Sequence, residues 1–253
     1  MDAGVKKEDK SPDITLLLVT LILVTVGTAM IYSSSSIIAL ERFKDGQFFL
    51  KKQILFVFIG LVSMVLMTKI PYTQLKKFAY PGVIISFVLL TLLLIPHVGL
   101  KRGGATRWLN MGFFSFQVTE MVKIAMVIFL AHLLTRKAHQ LKKFTRGILI
   151  PLSVTAVIIL LVLLEPDFGT AVIIAAIMLL MMGLAGSRIK HLLILAAAFI
   201  PVGIWLIWHK GYRLARLTAF LDPWKDADNT GFQIIQSLLS FGSGGAFGVG
   251  IGD

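Results

Sequence analysis

The chain has 253 residues, a formal net charge of +12, 57% hydrophobic and 15% charged residues, and no cysteine. A soluble domain carries about 25% charged residues, so a water-soluble globule is excluded. Disulfides and thiolate metal sites are excluded with the cysteines.

The apolar residues fall in blocks of about 18–22 with almost no charge, the length that crosses roughly 30 Å of hydrocarbon. Backbone groups in lipid must be satisfied internally, so these blocks predict helices. Residues 1–13 are polar and read as a tail. The first apolar block is long and is followed by no small-residue cleavage motif, so it reads as a permanent span and not a leader. Seven spans are predicted, at 14–34, 53–70, 78–96, 118–134, 147–164, 168–185 and 191–208. Residues 209–253 are polar and glycine-rich, with one apolar helical stretch near 232–241. The expected fold is an all-α integral membrane protein, a polytopic bundle over 14–208 followed by the start of a large outer loop. The chain stops at Gly250-Ile251-Gly252-Asp253 without a closing helix, and a cut inside that loop is expected.

The net positive charge does not point to nucleic acid, because the basic residues sit in short segments between apolar blocks. The tail and segments 69–77, 136–146 and 188–190 hold 13 Lys and Arg. Segments 35–52, 97–117 and 209–253 hold 11, spread over much longer sequence. Short basic segments belong in the cytoplasm. The tail is therefore expected inside, with the loop around Arg107 and the segment 209–253 outside.

Few ionisable residues approach the apolar blocks. Glu120 and Lys123 are three apart on the fourth span and can pair on one helix face, either as a buried pair gluing helices or as part of a cavity. Glu165 and Asp167 flank Pro166 between spans five and six, and either line a cavity or form a short surface loop. The loop 101–116 combines glycines, Arg107 and Trp108 with three Phe residues. Arg107 can bind phosphate in a bidentate way, and the aromatics suit the membrane interface. That mixture fits an anionic lipid headgroup or a plain interfacial anchor. Arg213 and Arg216 form a second outward pair or a surface cluster. The glycine-rich run 242–252 has no preceding strand, so a dinucleotide loop is not supported. The five His residues lack metal-ligand spacing.

Four separated motifs then carry a resemblance. Gly104-Ala105-Thr106-Arg107-Trp108-Leu109 with Phe116-Gln117-Val118-Thr119-Glu120 and Lys123 is one. Glu165-Pro166-Asp167-Phe168-Gly169-Thr170 is the next. Tyr212-Arg213 through Phe220-Leu221-Asp222-Pro223-Trp224, and Gly231-Phe232-Gln233 with Gln236-Ser237, complete the set. In this order they resemble the SEDS (shape, elongation, division and sporulation) family, over nearly the whole chain from residue 14. The runs 220–224 and 248–253 are most similar to its division members.

The resemblance implies ten spans in a bacterial inner-membrane glycosyltransferase at the division septum. Such an enzyme polymerises lipid II, the undecaprenyl-diphosphate disaccharide-peptide, beside a class B penicillin-binding protein and other division proteins. A lipid II flippase and a non-catalytic division scaffold are the alternatives. The family's essential Asp falls beyond residue 253, so no catalytic residue is assigned here. Val118-Thr119 replaces Pro-Ser, with Thr119 expected to cap the helix. Lys52 stands where the family commonly has Arg and loses the bidentate fork. Glycan extension needs a base for the acceptor hydroxyl and counter-charge for the leaving diphosphate. Lys52, Arg107, Lys123, Arg213 and Arg216 could supply that charge, or a divalent cation could; no other cofactor is evident. Glu120 would position Lys123, Asp167 would hold the cavity wall, and Trp108 would sit beside Arg107.

Overall fold

The computed structural model describes residues 13–102, 105–110, 112, 114–141, 147–209, 211–245 and 248. The tail 1–12, the glycines 103–104, the basic run 142–146 and most of the glycine-rich end lie outside the described residues. The chain divides into two compact units, residues 1–70 with 215–253, and residues 71–214.

In the first unit α1 (Ile14–Phe43) and α2 (Phe48–Lys69) fold back on each other. Asp13 starts α1 by accepting the Leu16 amide at 3.0 Å, the usual work of an N-cap. Lys44, at a φ of 58°, ends it. The turn is closed by Phe43 stacked on Phe48 at 4.0 Å and by Lys51 Nζ on Asp45 at 2.7 Å. Both helices extend into the segment expected to be loop, because residues 35–43 and 48–52 contain no Gly or Pro to stop a helix.

A further helix, α8 (Gly211–Leu221), crosses the boundary of the units, and α9 (Phe232–Gly244) lies in the first. Between them the Asp226 carboxylate accepts from Thr230 Oγ1 at 2.7 Å, the Thr230 amide at 3.1 Å and Asn229 Nδ2 at 2.9 Å. A Cβ at Gly231 would run into the Pro223 carbonyl. The helix α9 occupies the expected apolar stretch; α8 was not anticipated within the polar segment.

The second unit begins with a 3-10 segment (Tyr72–Phe78) leading into α3 (Ala79–Leu93). Three antiparallel strands follow in the order β1 (Gly99–Arg102), β2 (Ala105–Asn110), β3 (Ser115–Gln117). The chain then runs through α4 (Val118–Arg136), α5 (Leu149–Leu164), α6 (Phe168–Leu184) and α7 (Ile189–Trp208). The expected helical bundle thus carries one small sheet that the sequence reading did not anticipate. Ala105 to Asn110 is too short and mixed for a strand to declare itself by periodicity.

Helix α4 is the axis of this unit, packing on α3, α5 and α6. Its Val122, Met126 and Leu130 are fully covered, together with Leu90, Ile158, Ile174 and Met178 from its neighbours. Lipid is as apolar as these side chains, so the association rests on close van der Waals packing. Gly82 of α3 shows how close: a Cβ there would stand 3.4 Å from the Ala125 Cβ.

Apolar helices cover all seven predicted blocks. Among the described residues, five helical segments are long and apolar enough to cross a membrane, whereas α5 and α6 have only 16 and 17 residues. The chain is thus a polytopic helical membrane protein.

Candidate functional site

The polar residues of the second unit gather where the sheet meets the turn between α5 and α6. Strand β2 is held on both sides, with Trp108 opposite Leu100 of β1 and Gln117 of β3. Gly99 is required at its edge, because a Cβ there would collide with the Thr106 side chain. The register slips at Arg107, the extra residue between the pairs Leu100–Trp108 and Lys101–Thr106, a bulge that re-aims side chains locally.

Arg107 Nη1 donates to Asp167 Oδ2 at 2.9 Å. Asp167 is 4% exposed and caps α6, accepting the Thr170 amide at 3.2 Å and the Thr170 hydroxyl at 2.7 Å. The carboxylate is thus fixed by its own helix before it meets the arginine. The guanidinium is only partly consumed: its Nε is buried without a hydrogen bond among the described residues, and the side chain keeps 29% exposure.

Glu165 lies in the turn two residues earlier. It is 1% exposed, and neither carboxylate oxygen has a hydrogen-bond partner among the described residues. Burial, and secondly the charge of Asp167, push its carboxyl up to about 8. It is therefore mostly protonated at neutral pH and can donate a hydrogen bond.

Arg213, in the first turn of α8, is 8% exposed. Its Nη1 donates to the Leu206 carbonyl of α7 at 2.9 Å, and its guanidinium carbon stands 5.1 Å from the Phe168 ring centre. A cation there complements the C-terminal end of α7 and the aromatic face. Phe168 adjoins Asp167, so Arg213 lies at the same end of α6 as Arg107.

The other expected residues are placed differently. Lys123 Nζ meets Glu120 at 2.8 Å, but the Glu120 side chain is 56% exposed. The expected buried pair is a paired but uncovered one, because α4 turns Val118, Thr119 and Val122 to the core and Glu120 away from it. Thr119 does not cap α4; it lies buried inside the first turn, its hydroxyl accepting from Gln117 Nε2 at 3.2 Å. Arg216 is exposed on α8, unlike Arg213. Lys52 belongs to the first unit, where its Nζ stands 4.5 Å over the Phe48 ring. Two features escaped the sequence reading. The Asp167-x-x-Thr170 spacing is a legible capping pattern, whereas the isolation of the Glu165 carboxyl depends on how helices pack.

Apolar helices joined to a buried arginine–carboxylate corner define a multi-pass membrane protein with a polar site at one end of its bundle. The chain belongs to the FtsW/RodA/SpoVE family of cell cycle proteins, whose pattern it matches over residues 14–253; this is the family its motifs resemble. It is 38% identical over 242 residues to stage V sporulation protein E of Bacillus subtilis, covering 96% of this chain and 66% of that protein. It is 37% identical to a probable peptidoglycan glycosyltransferase FtsW of a Geobacter species, covering 95% and 66%. The FtsW of Saccharophagus degradans is 39% identical, with 95% and 62% covered.

Among solved structures, a chain of a peptidoglycan synthase complex that coordinates polymerization and crosslinking superposes with a TM-score of 0.72 at 27% identity. That match covers 92% of this chain and 66% of the other. The rod shape determining protein RodA of Thermus thermophilus superposes at 0.58 with 25% identity, covering 74% and 59%. The chain thus spans about two thirds of the length of these relatives.

Proposed function

We propose that this chain contributes the membrane bundle of a peptidoglycan glycosyltransferase that polymerises lipid II during bacterial cell division. The carrying observation is the Arg107–Asp167 pair, which joins two separated family motifs and holds an arginine whose side chain keeps 29% exposure. A guanidinium held this way suits a diphosphate, because it recognises phosphate through planar N–H donors. Asp167 holds Arg107 in place, and Arg213 adds positive charge at the same helix end.

The reading includes an inner-membrane location at the septum, an inward N-terminus, an outward site and a class B penicillin-binding protein as partner. The division role rests on the likeness to FtsW proteins, and the partnership on the likeness to the synthase complex. Purified lipid II is incubated with the intact gene product and its penicillin-binding partner. Glycan polymer is expected; lipid II translocation without polymer would favour the flippase.

A further inference from the structure

At the end of α4 away from the sheet, the second unit carries a groove that the proposed function does not use. A cavity of about 410 Å³ is lined by Tyr80 of α3, Ile150 and Val154 of α5, and Arg136 and Lys137 at the end of α4. A second cavity of about 270 Å³ shares Val83, Ile84 and Val154 with it and continues between Phe87 and Val157. Together they form one apolar furrow between α3 and α5 with a basic mouth. From Tyr80 to Phe87, and from Ile150 to Val157, the furrow runs roughly 10 Å at 1.5 Å per residue. One leaflet of hydrocarbon is about 15 Å deep, so the furrow matches most of an acyl chain. Its walls are open, with Ile84 63% exposed and Phe87 44%.

The mouth lacks an anion. Arg136 and Lys137 form no ion pair among the described residues. The 3-10 segment that packs on α4 carries Lys76 and Lys77, which form no ion pair among the described residues. The sequence holds no Asp or Glu at 71–119 or 121–164, so α3 and α5 can supply no carboxylate. Helix α5 also starts here, and its N-cap Ile148 has no capping side chain. The positive end of its dipole therefore adds to the same field. His132, 5.5 Å from the Tyr80 ring, and His139 are also near in the chain.

We propose that this furrow is a binding site for an anionic phospholipid of the bilayer, with one acyl chain between α3 and α5 and the phosphate on Arg136 and Lys137. Basic pockets between transmembrane helices bind anionic headgroups in this way. The site is separate from the Arg107–Asp167 corner and does not depend on the proposed reaction.

The test is native mass spectrometry of the purified chain, titrated with phosphatidylglycerol and with phosphatidylcholine of the same acyl chains. The parent should prefer phosphatidylglycerol. The double variant Arg136→Gln, Lys137→Gln should bind it about 30-fold more weakly, roughly fivefold per basic side chain, with phosphatidylcholine unchanged. Val154→Trp, which fills the furrow and keeps the charges, should also weaken binding. Arg188→Gln with Lys190→Gln, a control that removes the same number of charges at the start of α7, should not. Equal binding of the two lipids by the parent, or undiminished phosphatidylglycerol binding by the double variant, would overturn the proposal. So would a copurifying membrane peptide that phosphatidylglycerol does not displace. If Val154→Trp fails to fold, the double variant alone decides.

Discussion

Arg107 and Asp167 are sixty residues apart in sequence and meet across 2.9 Å. One is set by a strand, the other by a helix cap, so the pair ties the sheet to the turn between α5 and α6. Removing one member leaves the other charged and poorly solvated. Asp167→Asn keeps an oxygen for the Thr170 amide but loses the charge, and should cost about 3 kcal/mol. Adding Arg107→Leu should cost little more, because the orphaned cation is gone. Thermal melts of the two single variants and the double variant in detergent check this. Simple additivity would mean the two side chains do not interact.

Glu165 makes stability depend on pH with a definite sign. Its carboxyl titrates near 4.5 when unfolded and at about 8 when folded. Between these values the folded state holds the extra proton. The contribution is therefore fully present below the unfolded value and is lost as pH rises through the folded one. The melting temperature should fall from pH 5 to pH 9, and Glu165→Gln should flatten that slope. Parallel slopes for the two proteins would remove Glu165 from the account.

The uncovered Glu120–Lys123 pair should matter little to folding. An exposed i, i+3 pair is worth about 0.5 kcal/mol. Lys123→Ala should therefore lower the melting temperature only slightly in detergent, where a loss of 3 kcal/mol or more would show that the pair is buried after all.

Orientation can be read chemically, because the chain has no cysteine. Cysteines placed singly at Ala138 and Thr230, both exposed, should label from opposite sides of the membrane. Thr230 should react with an impermeant maleimide outside, and Ala138 only after permeabilisation. Labelling of Ala138 from outside would reverse the basic-residue argument.

The helices were legible because a bilayer imposes one rule on every span, a long uncharged run, and each predicted block is helical. Their ends were less legible. Residues 35–43 continue α1 because Ser35-Ser36 and Glu41-Arg42 interrupt the apolar run without breaking the helix. The strands at Gly99 to Gln117 were missed because their pairing partners are each other, a relation that no local pattern encodes. At the site, Arg107 and Asp167 stood out as charges beside apolar blocks, yet their contact spans sixty residues and emerges only on folding. Arg213 and Arg216 looked alike in sequence. They lie only about 60° apart around the helix, yet Arg213 reaches the Leu206 carbonyl and the Phe168 ring while Arg216 is left exposed.

The account rests on Arg107 as the phosphate-binding group of a lipid-linked substrate. Lipid II affinity of the intact gene product should be measured for the parent, Arg107→Lys and Arg107→Ala, with melting curves alongside. Lysine keeps the charge but has no planar fork, so both variants should bind lipid II at least tenfold more weakly. Parental affinity in Arg107→Lys and Arg107→Ala alike would contradict the account and leave Arg107 as a structural tie to Asp167.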